Sequence, residues 1–140
     1  MSENTDPRKV ILLVDDDPVF LSTTNLLLKN DYKIFTVKSG EEALEFLNKN
    51  QIIPDIILLD ILMPVMDGWA VFDRIQDIAA LKHTPIIFYT SLEEASAKEK
   101  AYELGAFDYI VKPCEQIALL SRISEALKKA ELKKQHYGIS

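Results

Sequence analysis

The sequence is poor in residues that would define several common protein classes. Among its 140 residues there are one cysteine, Cys114, and four glycines. A single cysteine cannot form an intrachain disulfide or a multi-cysteine zinc site, which suits a reducing compartment such as the cytoplasm. The glycines form neither a GxGxxG nor a P-loop pattern, so nucleotide binding through such a loop is disfavoured.

Long apolar runs and an excess of positive charge are also missing. The longest apolar runs, such as Val10–Val14, are far shorter than the roughly 18 residues of a membrane span. The first seven residues are polar with an acidic bias, unlike the basic start of an export signal. With 16 Lys and Arg against 22 Asp and Glu, the formal charge is −6, which argues against nucleic-acid binding through phosphates. We therefore expect a cytoplasmic protein with no membrane partner and no direct nucleic-acid partner.

Five short runs of β-branched and aliphatic residues recur along the chain and are predicted strands. Several are almost continuously apolar, which is typical of strands covered on both faces in a parallel sheet. Segments of helical spacing separate them; Asp17 precedes Pro18 as a capping residue, and Ser39 and Ser91 each begin a capping-box pattern. This β-α order requires crossover connections, and we predict one doubly wound α/β domain. The predicted strands are residues 10–14, 33–37, 55–59, 85–89 and 107–111.

The chain shows no internal linker, so a single domain is expected at residues 9–130. Residues 1–8 are expected to be a flexible N-terminal extension, and residues 131–140 the end of the last helix and a tail. That end is rich in lysine, which is typical of a solvated helix terminus; a specific contact or a dimer is the alternative. The lysines are Lys128, Lys129, Lys133 and Lys134.

Polar residues end four of the predicted strands. Asp15 and Asp16 follow the first strand, Asp60 the third, Thr90 the fourth and Lys112 the fifth. The carboxyl ends of parallel strands share one sheet edge, where open α/β sheets bind ligands. Carboxylates gathered there need a cation, and hard oxygen donors suit Mg²⁺. The hydroxyl of Thr90 and the cation of Lys112 would suit a phosphoryl group, for which Asp60 is a possible carboxylate nucleophile.

The motifs around these residues resemble the receiver domain of two-component response regulators, in its single-domain, chemotaxis-regulator-like form. The resemblance covers about residues 8–130. It implies an α/β fold of the flavodoxin-like (βα)5 type, with a five-stranded parallel sheet in the order 2-1-3-4-5. The motifs that carry it are VDDDP at 14–18, DIILLDILMPVMDG at 55–68, Thr90-Ser91, and GAFDYIVKP at 105–113.

The resemblance implies a metal and phosphoacceptor site at the strand ends. Asp60 would accept a phosphoryl group from a phosphohistidine. Asp15, Asp16, Asp60 and the backbone carbonyl of Leu62 would hold Mg²⁺, Asp16 directly and Asp15 through water. Val65 departs from the family pattern, because many members have a glycine there.

The resemblance also implies a switch. Lys112 would pair with the phosphoryl oxygens, and the Lys112–Pro113 peptide bond would be cis. The Thr90 hydroxyl would move to bind the phosphoryl group, and the ring of Tyr109 would swing inward behind it. The shape of the fourth helix, fifth strand and last helix would then report phosphorylation to partners.

These roles imply a stand-alone phosphoacceptor protein that is not an enzyme. Its partners would be a sensor histidine kinase or histidine phosphotransfer protein and an unknown downstream protein target. A magnesium-dependent aspartyl phosphatase is one alternative, but such enzymes of the haloacid dehalogenase type have a general acid where this chain has Leu62. A phosphorylation-independent interaction module is the other. Because Leu62 and Leu92 are aliphatic and cannot orient a water, we predict a long-lived phosphoryl group.

Overall fold

A computed structural model describes residues 6–49 and 51–137, and it contains five strands and five α-helices in strict alternation. A 3₁₀ turn, Ala79–Leu81, precedes the fourth strand. In chain order the elements are β1 Val10–Val14, α1 Pro18–Leu28, β2 Lys33–Val37, α2 Gly40–Asn48, β3 Ile56–Leu59, α3 Gly68–Ile75, β4 Ile86–Thr90, α4 Ala95–Leu104, β5 Asp108–Val111 and α5 Gln116–Tyr137.

The five strands form one parallel sheet in the order β2-β1-β3-β4-β5. Every residue of β3 and β4 is buried, as continuous apolar runs predict for central strands. Because successive side chains of a strand point to opposite faces, the buried residues separate into two apolar clusters, one on each face. The predicted doubly wound fold and its strand order are confirmed.

Three helix caps are predicted from the sequence, at Asp17, Ser39 and Ser91, and the first two cap helices in the structure. The Asp17 carboxylate accepts hydrogen bonds at the start of α1. At α2 the Ser39 hydroxyl accepts from the amide of Glu42 at 3.0 Å, but the Glu42 carboxylate accepts from the amide of Lys38 and not from that of Ser39. The cap is therefore present, and the reciprocal bond of a capping box is shifted by one residue.

The predicted capping box at Ser91 is wrong. Helix α4 begins at Ala95, after Glu94, whose side chain caps nothing. The amide of Leu92 donates instead to the Thr90 hydroxyl at 3.3 Å, so this stretch forms a loop that serves the end of β4. The helix that follows buries only alanines, Ala97 and Ala101.

The structure describes only part of each predicted terminal segment, residues 1–8 and residues 131–140. Residues 1–5 and 138–140 lie outside the described residues. Arg8 donates to the backbone carbonyl of Lys29 at 2.8 Å, and α5 continues without a break to Tyr137. Among the described helices, none combines the length and apolar character needed to cross a bilayer.

Candidate functional site

Three carboxylates gather where β1 and β3 end. Asp15 and Asp60 are 2% and 4% exposed, whereas Asp16 is exposed. One carboxylate oxygen from each lies within 4.8 Å of the others. Two buried acids beside an open one form a hard oxygen donor set that could hold a divalent cation and leave it accessible to a ligand.

Lys112 lies across the two buried carboxylates. Its ammonium is 2.5 Å from Asp15 Oδ2 and 3.3 Å from Asp60 Oδ2, and its side chain is only 8% exposed. Burial alone would lower the pKa of Lys112, but the hydrogen bond that its ammonium donates to Asp15 and the charges of both carboxylates raise that pKa above its ordinary value. The lysine is thus held as a cation beside Asp60.

Phe20 also belongs to the site, although the sequence motifs did not predict it. Its ring lies 4.2 Å from the Lys112 ammonium and meets the ring of Tyr89 edge-on at 5.7 Å. A cation over an aromatic face is attracted by the negative face of the ring. Its place in the sequence could have indicated this role, because Phe20 lies in the first turn of the helix that Asp17 caps, above the same sheet edge.

Burial governs the chemistry of Asp60. Removal from water raises the pKa of this carboxyl; the Thr90 hydroxyl and the Lys112 cation lower it, but they do not fully offset burial. The amide of Leu62 donates to Asp60 Oδ1 at 3.4 Å. The side chain of Leu62 is aliphatic and half-exposed.

Thr90 and Tyr109 meet through the backbone of one residue. The Thr90 hydroxyl accepts from the amide of Leu92, and the Tyr109 hydroxyl donates to the carbonyl of Leu92 at 2.5 Å. Tyr109 is 2% exposed, so its ring lies inside the fold, against Phe88 with ring centroids 6.3 Å apart. The loop that follows β4 therefore links the two residues that the resemblance names as a switch.

A second ionic cluster lies on the outer side of β5. The Asp108 carboxylate accepts two bonds from Arg122 of α5, at 2.6 and 2.8 Å, and one from the Tyr102 hydroxyl of α4 at 3.0 Å. Burial would raise the pKa of Asp108, but the Arg122 hydrogen bonds outweigh it and keep that pKa below its ordinary value. Sequence spacing gave no signal for this link between α4, β5 and α5.

The loop between Asp60 and α3 is tightly held. The amide of Gly68 donates to the carbonyl of Ile61 at 2.9 Å, and a Cβ on Gly68 would lie 2.7 Å from Ile61 Cα. Val65, 94% exposed, has a φ of 67°, a left-handed conformation that a β-branched residue rarely adopts. At the other side of the site, the Lys112–Pro113 peptide bond is cis.

A comparison with models of protein families is consistent with the geometry of this site. The model of the response regulator receiver domain matches residues 11–124. This chain belongs to the response regulator receiver family. Receivers bind Mg²⁺ at an acidic pocket, and the cluster of Asp15, Asp16 and Asp60 in this receiver is a donor set able to hold it.

Curated relatives and solved structures extend the comparison. The receiver is 36% identical over 121 residues to the regulatory protein VanR of Enterococcus faecium, covering 85% of this chain and 50% of VanR. It is 37% identical over 133 residues to a protein-glutamate methylesterase/protein-glutamine glutaminase of Syntrophomonas wolfei, covering 90% of this chain and 36% of that protein. The chemotaxis protein CheY4 of Vibrio cholerae matches with a TM-score of 0.78 and 28% identity, over 85% of this chain and 98% of that one. The chain thus spans between a quarter and a half of the first curated relatives, whose further activities belong to those longer proteins.

Proposed function

We propose that this receiver accepts a phosphoryl group on Asp60 from a phosphohistidine of a sensor histidine kinase or histidine phosphotransfer protein. The observation that carries the proposal is the buried carboxylate of Asp60 beside two further acids and the Lys112 cation. Asp15, Asp16, Asp60 and the Leu62 carbonyl are the proposed Mg²⁺ ligands. The bound ion would offset negative charge and orient the phosphoryl oxygens.

The chain's own residues carry the transfer. A carboxylate oxygen of Asp60 attacks phosphorus, and the N–P bond of the donor breaks. Its electron pair returns to the imidazole nitrogen, so Asp60 becomes an acyl phosphate. Lys112, already 3.3 Å from Asp60 Oδ2, pairs with the phosphoryl oxygens, because a transferring phosphoryl group is stabilised chiefly by positioning and opposite charge.

Phosphorylation also supplies the differential contacts that a switch requires. The added oxygens can accept a hydrogen bond from the Thr90 hydroxyl, whose oxygen already accepts one from the amide of Leu92. The carbonyl of Leu92 in turn accepts from the hydroxyl of Tyr109. Asp108 of β5 is bonded to Arg122 of α5 and to Tyr102 of α4, and we propose that downstream proteins bind the face formed by these three elements. Phosphorylation should alter hydrogen exchange in residues 91–112; unchanged exchange would refute the read-out but leave the acceptor role intact.

The two alternatives have less support. In an aspartyl phosphatase of the haloacid dehalogenase type, a carboxylic acid would occupy the place of Leu62, whose side chain is aliphatic and half-exposed. An interaction module independent of phosphorylation has no need for the charged group of Lys112, Asp15 and Asp60. The receiver is therefore proposed to be a signalling acceptor and not a turnover enzyme. The stand-alone arrangement and the boundary near residue 130 stay predictions.

Phosphotransfer is tested by treating the full chain with phosphoramidate and Mg²⁺ and following its intact mass. Wild type and an Asp73→Asn control, which changes a surface acid on α3, should gain one phosphoryl group, and Asp60→Asn should gain none. Asp16→Asn should be labelled more slowly, because it retains the acceptor and loses a proposed metal ligand. Equal labelling of Asp60→Asn and wild type would refute the acceptor assignment.

The lifetime of the phosphoryl group is a separate expectation. Leu62 and Leu92 offer no polar side chain that could orient an attacking water. Leu62→Gln should therefore shorten the half-life of the labelled protein, and Leu62→Met should not. Identical decay of all three proteins would contradict the role given to position 62.

A further inference from the structure

The lysine-rich end of α5 takes no part in the proposed acceptor site. In the structure Lys129 and Lys133, one helical turn apart, line the same side of the helix. Lys82, which follows the 3₁₀ turn, lines the same space as these two lysines. The lysine run is therefore divided, and part of it faces a cavity at the amino ends of β4 and β5.

This cavity is large enough for a small organic molecule. Its volume is about 390 Å³, toward the lower end of the range of roughly 300–1,000 Å³ typical of ligand sites. Residues from the end of α3, the start of β4, the turn before β5 and the second half of α5 line it. Its inner wall is apolar and buried, and includes Ile75, Leu81, Ile86, Ala106 and Ala126.

The charge of the cavity is opposite to that of the chain. The chain has a formal charge of −6, yet three lysines line the cavity and, among the residues that the structure describes, no Asp or Glu does. Lys129 lies 3.5 Å from Glu125, but both side chains are more than half-exposed, so that pair is weak. For Lys82 and Lys133, no ion pair occurs within residues 6–49 and 51–137. Cations above an apolar wall favour a negatively charged ligand with an apolar body.

We propose that this cavity binds a small organic anion, namely a flat apolar ring system that carries a phosphate, sulfonate or carboxylate group. The ring would pack on the buried apolar wall, and the anionic group would lie between Lys82 and Lys133. A bare inorganic anion would leave the apolar wall uncovered, so it binds more weakly. The site lies at the opposite end of the sheet from Asp60, and occupation is independent of phosphorylation.

The probe is 1-naphthalenesulfonate, which supplies the ring and the charge and cannot transfer a phosphoryl group. Titration into the full ¹⁵N-labelled chain should shift the amide signals of Gly105, Ala106 and Phe107 saturably. Prior loading of the Asp60 site with Mg²⁺ and beryllofluoride should leave the affinity unchanged within about twofold. Neutral 1-naphthalenesulfonamide and inorganic sulfate should each bind at least about tenfold more weakly, since each lacks one half of the recognised group.

Matched variants assign the binding to the cavity. The Lys82→Gln/Lys133→Gln variant should weaken binding by about tenfold, whereas Lys38→Gln/Lys98→Gln, which removes two exposed lysines elsewhere, should not. Ala130→Phe keeps every lysine and fills the cavity, so it should abolish binding. The proposal is overturned if no saturable shift occurs, if the neutral compound binds equally well, or if both double variants behave alike.

Discussion

Replacing Asp60 by asparagine should stabilise the metal-free receiver, although it removes the proposed acceptor. Burial raises the pKa of Asp60, which means that folding disfavours the ionised carboxylate, because this group is better solvated in the unfolded chain. An inadequately compensated buried polar group costs about 1–3 kcal/mol. Because Lys112 and Thr90 compensate part of that cost, we expect a gain of about 1 kcal/mol. For 140 residues this corresponds to roughly 3 °C in Tm.

The pH dependence of that gain has a defined sign. A raised carboxyl pKa means that the folded state binds the proton more tightly than the unfolded state does. The penalty is complete above the folded pKa of Asp60 and disappears as the pH falls to the ordinary value near 3.8. The advantage of Asp60→Asn should therefore shrink between neutral pH and about pH 4.

Urea denaturation in EDTA at several pH values measures the difference, with Asp16→Asn as the control. Asp16 belongs to the same acidic cluster but is exposed, so its replacement should change stability by less than half as much. Saturating Mg²⁺ should stabilise wild type more than Asp60→Asn, because only wild type keeps all three carboxylates. A metal-free Asp60→Asn protein that is less stable than wild type at pH 7 would refute the reasoning.

Three further variants test the surroundings of the site by urea denaturation. Asp108→Asn should lose about 1 kcal/mol at pH 7, since it breaks the partly exposed Arg122 pair. That loss should vanish as the pH falls below about 3.8, because the pKa of Asp108 is lowered in the fold; a loss that persists in acid contradicts the ionic account. Gly68→Ala should cost about 2–3 kcal/mol, because its Cβ would collide with the backbone of Asp60, and wild-type stability would show that the loop yields. Val65→Gly should gain about 0.5–1 kcal/mol by relieving a φ of 67°; a loss would mean that the valine side chain makes a stabilising contact.

The sequence predicted most of the fold because its signals are local and agree with one another. Continuous apolar runs located β1, β3 and β4, and the β-α order then left few topologies. The helix cap predicted at Ser91 was wrong because a Ser-x-x-Glu pattern describes only local hydrogen bonding. The amide of Leu92 bonds to Thr90, and its carbonyl to Tyr109, 17 residues away. A long-range partner of this kind leaves no trace in local spacing.

The sequence predicted those residues of the candidate site that directly follow a strand. Asp15, Asp60 and Lys112 each follow a strand of one parallel sheet, so topology alone brings them together. Burial, which controls the pKa of Asp60, depends on packing above the sheet edge and could not be predicted. The ring of Phe20 over Lys112 was also missed, because a helix residue is placed by rotation and tilt as well as by sequence position.

Three features that are unfavourable for folding lie close together in residues 60–68, directly after β3. Asp60 is a buried acid with a raised pKa, Val65 has a φ of 67°, and Gly68 lies too close to the backbone to carry a Cβ. Each feature lowers stability or demands a particular residue, and nine residues include all three. Folding alone would be served better by an asparagine at position 60 and a glycine at position 65. Several unfavourable features within a few residues are expected where a chain must hold a reactive carboxylate in a fixed position. They support a functional role for Asp60 independently of the family resemblance.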